Sequence, residues 1–405
     1  MNLYQIMTAR TPDIIDDLSS PGTAKYFDLS RTFAAVAVVV SHIRDLVFTD
    51  FNGGTPLVRL FYLLTGLGHQ AVMVFFVVSG FWITRYIVVR LDQSRWSWKN
   101  YAIDRLSRLW IVLVPALVLG GALDVIGWKM LRLPNYLGNG AHSIVNNLND
   151  SLSATSLAGN VAFLQNLYVP TFGTNGPLWS LCNEFWYYIL FPLGLFLFTQ
   201  RKNRGITLLI LIAAACICAP LLPAFFCWLV GSALYFTLRR RNSSLPFRTI
   251  RSRMRPIGIF VLSALIFSLI VSKIKIFPEI VSDIAVALCT GVTFYYIIRS
   301  RLRFPTSLDG ISQYGANSSF SLYVTHFPLA MLMSGVLLSG RRTNLSFYGT
   351  AIAITLLISC IFAGWLFSAL TEQKTHKFKE HSNQFPQSHA HQLLISENSY
   401  DSSAR

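Results

Sequence analysis

The chain has 405 residues, 53% of them hydrophobic and 13% charged, with a formal net charge of +16. A soluble enzyme carries about a quarter charged residues, so this composition, with a mean hydropathy of +0.48, excludes an ordinary soluble domain. The bases fall between apolar runs and form no single polar domain, so nucleic acid is not an expected partner; the pattern is that of a polytopic, all-α membrane protein.

The first 24 residues carry Asp13, Asp16 and Asp17 without an apolar core, so they read as a cytoplasmic segment and not a signal peptide. Apolar runs then predict spans at 31–49, 67–90, 107–127, 177–199, 205–219, 220–238, 256–272, 278–298, 318–339 and 346–369. Residues 25–370 thus form one membrane domain. Its long 128–176 loop reads as a functional, partly helical cover on the extracytoplasmic side. Residues 371–405 are polar and rich in Ser, Gln and His, as a disordered cytoplasmic tail would be. Bases cluster in alternate turns: Arg85 to Arg108, Arg201 to Arg204, Arg239 to Arg255, and Arg299 to Arg303. The other turns are sparse, which predicts ten spans with both termini in the cytoplasm. The six cysteines lie in or beside apolar runs without a CxxC pair, so they read as core residues, and no metal is expected.

Polar residues within the spans are costly and therefore informative. Arg31 and His42 are eleven residues apart, about three helical turns, so they share a face about 16 Å apart along the axis. Arg31 would stand at the cytoplasmic mouth, where a snorkelling anchor is the ordinary reading, and His42 in the outer half. In the second span Ser79-Gly80 permits close helix contact, and Arg85 lies six residues deeper. Arg31, Arg85, Arg105 and Arg108 converge near one level, a guanidinium set suited to phosphate. In NGPLWSLCNEFWYYILFP (175–192), Glu184 lies about two turns from the outer end, which predicts a depth match with His42. A structural ion pair is the alternative reading of that couple. In SSFSLYVTHFPLA (318–330), His326 is expected in the cytoplasmic half of its span, with Tyr323 on a polar stripe. That stripe either lines a cavity or satisfies neighbouring helices.

Arg31–x10–His42, FFVVSGFWITR (75–85), NYAIDRLSRLWIVLVPAL (100–117), PLWSLCNEFWYYILFP (177–192) and SSFSLYVTHFPL (318–329) occur in one order. In this the chain resembles the membrane-bound acyltransferase-3 family, the O-acetyltransferases of bacterial polysaccharides and nodulation factors, over residues 26 to about 370. Trp82 stands where the family commonly has a longer aliphatic residue, and Asn183 occupies a variable position. The resemblance implies a bacterial inner-membrane enzyme. It would move an acyl group, usually acetyl, from cytoplasmic acetyl-CoA or another acyl-CoA to a hydroxyl of an envelope polysaccharide or lipid-linked saccharide. On that basis Arg31, Arg85, Arg105 and Arg108 would hold the coenzyme phosphates, with His42 as base and Glu184 orienting it. Trp179, Ser180, Asn183, Ser79, Tyr323 and His326 are the candidate substrate contacts. The rival reading is a transporter or flippase of a lipid-linked saccharide. Against it, the chain has no internal repeat and Glu184 is nearly alone as an acid in the spans.

Overall fold

The structure is a computed structural model that describes residues 21–137, 147–199, 203–241, 254–300, 302 and 304–373. Most of the expected N-terminal segment, residues 138–146 of the long loop, the tail from 374, and the bases Arg201, Lys202, Arg248, Arg251, Arg253, Arg301 and Arg303 lie outside the described residues. Thirteen α-helices are described: α1 Pro21–Val47, α2 Pro56–Leu64, α3 Gly68–Asp92, α4 Trp98–Val125, α5 Leu148–Ser151, α6 Ala154–Val161 and α7 Trp179–Thr199. They continue as α8 Arg204–Ile217, α9 Leu222–Arg241, α10 Met254–Ile274, α11 Glu279–Ser300, α12 Asp309–Leu338 and α13 Phe347–Leu370. Among the described residues the only β pairing is two isolated bridges, Phe48 with Thr343 and Gln165 with Val169.

Eight helical stretches are long and apolar enough to cross a membrane. Two of the ten expected spans are not among them: α8 is only 14 residues long, and α1 interrupts its apolar run with Asp28, Arg31 and His42. Lys25 at the start of α1 pairs with Asp309 at the start of α12 at 2.8 Å. Ser368 near the end of α13 donates to the Asn317 carbonyl at 2.7 Å, so the described chain begins and finishes at one end of the bundle. That end also carries Arg90, Arg95, Lys99 and Arg299, and it is called the basic end below.

The centre of the bundle is made by α1, α3, α9 and α12. Phe27 of α1 stacks between Phe81 of α3 at 4.8 Å and Phe294 of α11 at 4.3 Å. Ile259, Phe260 and Phe267 of α10 and Ile358 and Phe362 of α13 stay exposed, as a lipid-facing rim requires. Helices α3 and α9 meet backbone to backbone. A Cβ on Gly80 would come within 2.0 Å of the Trp228 carbonyl, and one on Gly231 within 1.9 Å of the Val77 carbonyl. Gly80→Ala is therefore expected to push α9 away and destabilise the fold by about 1–3 kcal/mol, which thermal unfolding in detergent would register.

The described part of the loop between α4 and α7 is tied into the bundle. Buried Asp124 accepts from the Thr174 backbone N–H and from its hydroxyl, both at 2.7 Å. Gly173 has φ +61° and leaves no room for a side chain, since a Cβ there would meet the Asp124 carboxylate at 2.1 Å. The anchor deeper in is set by Pro328 of α12. Proline has no N–H, so the Val324 carbonyl loses its helical partner, and Asn175 Nδ2 donates to it at 2.8 Å. Tyr323 adds a hydroxyl donation to the Pro177 carbonyl at 2.8 Å. The start of α7 is thereby drawn down inside the bundle.

Candidate active site

A cavity of about 600 Å3 opens among α1, α3, α4, α7 and α12 towards the basic end. All four expected guanidiniums, Arg31, Arg85, Arg105 and Arg108, line it, together with Ser79, Ser180, Glu184 and Tyr323. Local structure explains the convergence. Ser97 caps α4 by accepting from the Asn100 N–H at 3.3 Å, and this fixes the start of the helix. Arg105 and Arg108 follow two to three turns in, and their i, i+3 spacing puts both on one face.

Two of these guanidiniums, Arg85 and Arg105, lie against aromatic rings. Tyr86 is flanked by Arg90 at 3.8 Å and Arg105 at 4.5 Å, and its hydroxyl donates to Asp104, which also pairs with Arg90 at 3.5 Å. Arg85 lies 5.4 Å from the Trp82 ring. Arg31 Nη2 donates to Ser319 Oγ at 3.3 Å, with Asp28 4.0 Å away. Among the described residues no carboxylate lies within 4.0 Å of Arg85, Arg105 or Arg108, and Arg105 Nε is buried without a partner. Guanidiniums lining a partly buried cavity with few acids close by are of a kind suited to an anion.

Glu184 belongs to this cavity. It accepts from Ser79 Oγ at 2.9 Å and from the Tyr188 hydroxyl, and Trp228 Nε1 supports Ser79 at 3.2 Å. The expected depth match with His42 is not found. Ser41 packs at Gly68, eleven residues along α3 from Ser79, so His42 and Glu184 are separated by about 16 Å of helix.

His42 instead stands beside His326, with ring centroids 5.4 Å apart, and Phe327 meets it edge to face at 5.0 Å. His326 was expected in the cytoplasmic half of the 318–339 span. Helix α12 begins at Asp309, nine residues before the apolar run, so His326 lies past its midpoint. Its ring is 6.0 Å from that of Tyr323, whose hydroxyl meets Ser180 Oγ at 2.6 Å. The sequence is thus guanidiniums, Glu184, the Ser180–Tyr323 contact, then the two histidines.

Trp179 and Asn183 do not line the cavity. Ser180, Glu184 and Tyr188 form one i, i+4 stripe of α7, whereas Trp179, Asn183 and Tyr187 lie on the neighbouring face. Trp179 stacks on His69 at 6.0 Å, and Asn183 Nδ2 donates to the Tyr187 hydroxyl at 3.0 Å. Tyr188 was missed, although the same i+4 step from Glu184 would have found it. Glu372 was also missed. It accepts from Ser321 Oγ at 3.0 Å; burial pushes its carboxyl up, and the charges of Arg108 and Arg31 oppose that rise. Nothing in the polar sequence after α13 signalled that contact.

The sequence profile of the acyltransferase-3 family, described as an acyltransferase domain, matches residues 24–364. The acyltransferase MdmB of Streptomyces mycarofaciens is 26% identical over 378 residues, covering 84% of this chain and 89% of that protein. An uncharacterized protein of Haemophilus influenzae is 30% identical over 149 residues, 34% of this chain; the match spans 54% of that protein's length. No solved structure matches. With its five motifs inside a profile match that runs from α1 into α13, the chain belongs to the acyltransferase-3 family.

Proposed function

We propose that the protein is a bacterial inner-membrane acyltransferase that moves an acyl group, acetyl by the family's default, from cytoplasmic acyl-CoA to a hydroxyl of an envelope glycan or lipid-linked saccharide. The observation that carries this reading is the cavity lined by Arg85, Arg105 and Arg108, none of which has a carboxylate within 4.0 Å among the described residues. The basic end is the cytoplasmic face, α1 and α8 complete ten crossings, and both termini are inside. Arg31, Arg85, Arg105 and Arg108 bind the phosphates of the donor, whose thioester supplies the activated acyl group. Glu184, held by Ser79 and Tyr188, acts at the throat of the cavity, where it sets the charge facing Arg31. Ser180 and Tyr323 guide the acyl arm towards His42, which removes the proton of the acceptor hydroxyl. Trp179 and Asn183 serve packing on the adjoining face of α7.

Purified protein in proteoliposomes is expected to transfer label from radiolabelled acetyl-CoA to an envelope glycan supplied on the opposite side. A deletion strain should lose O-acetyl groups from one envelope glycan. Uptake of a saccharide without any acyl-CoA requirement would overturn the reading in favour of transport.

A further inference from the structure

The turn of α12 before Pro328 holds a buried imidazole with one nitrogen unused. His326 is 0% exposed, and its Nδ1 lies 2.8 Å from the Tyr323 carbonyl and 3.1 Å from that of Leu322. Carbonyls only accept, so Nδ1 carries the proton, and in the neutral ring Nε2 carries the lone pair. That Nε2 is buried and has no hydrogen-bond partner among the described residues. Buried acceptors are seldom left unmade in a native fold, because desolvating one without a replacement bond is costly. The ring beside it is His42, tilted by 32° at a centroid distance of 5.4 Å. At that separation a modest rotation brings a His42 nitrogen within hydrogen-bonding distance of Nε2. Phe327 also packs against His42, edge to face at 5.0 Å. The backbone carbonyl of His326 is engaged by Cys360 Sγ at 3.6 Å, so α13 braces the turn from behind.

Resting on the acyl-transfer reading, we propose that His326 is a positioning residue for His42: its Nε2 accepts the N–H of His42 during turnover. That bond fixes the tautomer of His42 and leaves the lone pair of its other nitrogen for the acceptor hydroxyl. The hydroxyl proton moves to His42 as the hydroxyl oxygen bonds to the acyl carbon. The carbon–sulfur bond breaks, its electron pair leaves on sulfur, and the thiolate takes the proton back from His42. While His42 is an imidazolium, its bond to Nε2 is charge-assisted and so at its strongest. His326 itself gains no proton. A neutral imidazole, held in one tautomer by two backbone carbonyls, thus does at this depth what a carboxylate does in a solvated triad, without adding a buried charge.

The test compares the parent protein with His326→Phe, His326→Leu and His326→Gln in the proteoliposome transfer assay, with coenzyme A affinity measured alongside. His326→Phe and His326→Leu lack the acceptor and are expected to lower kcat by about tenfold or more. Donor KM and coenzyme A affinity should stay within about twofold, because those belong to the guanidinium cavity. His326→Gln offers a carbonyl oxygen to the same N–H and should recover a substantial part of kcat. Parental kcat in either acceptor-less variant overturns the proposal. So does a loss of kcat that His326→Gln does not relieve while it binds coenzyme A normally. If the parent protein transfers no label at all, it is the acyl-transfer reading that fails, and the proposal falls with it.

Discussion

Replacing His42 by alanine is expected to lower acyl transfer by about a hundred- to ten-thousand-fold, the range for losing a positioned general base. Expression and coenzyme A binding should be unchanged. The ring lies among α1 and α12 side chains well away from the four guanidiniums, so its removal should spare the anion site. His42→Gln should be as inactive as His42→Ala, since an amide has no basic nitrogen to take a proton. The decisive measurement is single-turnover transfer with the donor saturating, which separates the proton step from binding. Full activity in His42→Ala would remove the base assignment altogether. Activity retained in Glu184→Gln alongside a dead His42→Ala would fit the 16 Å of helix between their levels, and would assign Glu184 to the throat.

The difference between what the sequence made legible and what it concealed has a physical cause. Arg105 and Arg108 could be read together because i, i+3 spacing on a helix leaves little freedom, and the structure lines one cavity with both. The period of the apolar runs likewise located every long helix. Depth could not be read, because it depends on where each helix starts relative to the others. One proline shows how non-local this is: Pro328 frees the Val324 carbonyl, and Asn175, just before α7, takes it. The face of α7 was also open to misreading, since Asn183 and Glu184 are adjacent in sequence but point to different neighbours. Asn183 reaches Tyr187, while Glu184 reaches Ser79 across the cavity. His326 was singled out as a polar residue on a stripe. That its Nε2 lacks a hydrogen-bond partner among the described residues, and that His42 is the ring beside it, depends on the packing of α1 against α12.

The second large effect is expected at the guanidinium cavity. A hydrogen bond to a charged group contributes about 1.5–3 kcal/mol, and 1.4 kcal/mol is about tenfold in affinity. Arg105→Ala and Arg108→Ala are therefore each expected to weaken donor binding by about ten- to a hundredfold. Because the two side chains share one anion, the double variant should fall short of the product of the single effects. Lysine at either position keeps the charge but loses the planar fork, so Arg105→Lys should recover only part of the loss. Tyr86→Ala should mimic part of the Arg105 effect without removing any charge, because the ring at 4.5 Å holds that guanidinium against the cavity wall. Titrating coenzyme A at rising salt distinguishes this from a packing defect. An electrostatic site loses affinity as salt screens it, and the variants should show a shallower dependence than the parent protein. Unchanged coenzyme A affinity in both single variants and the double would remove these arginines from donor binding and return them to the role of membrane anchors.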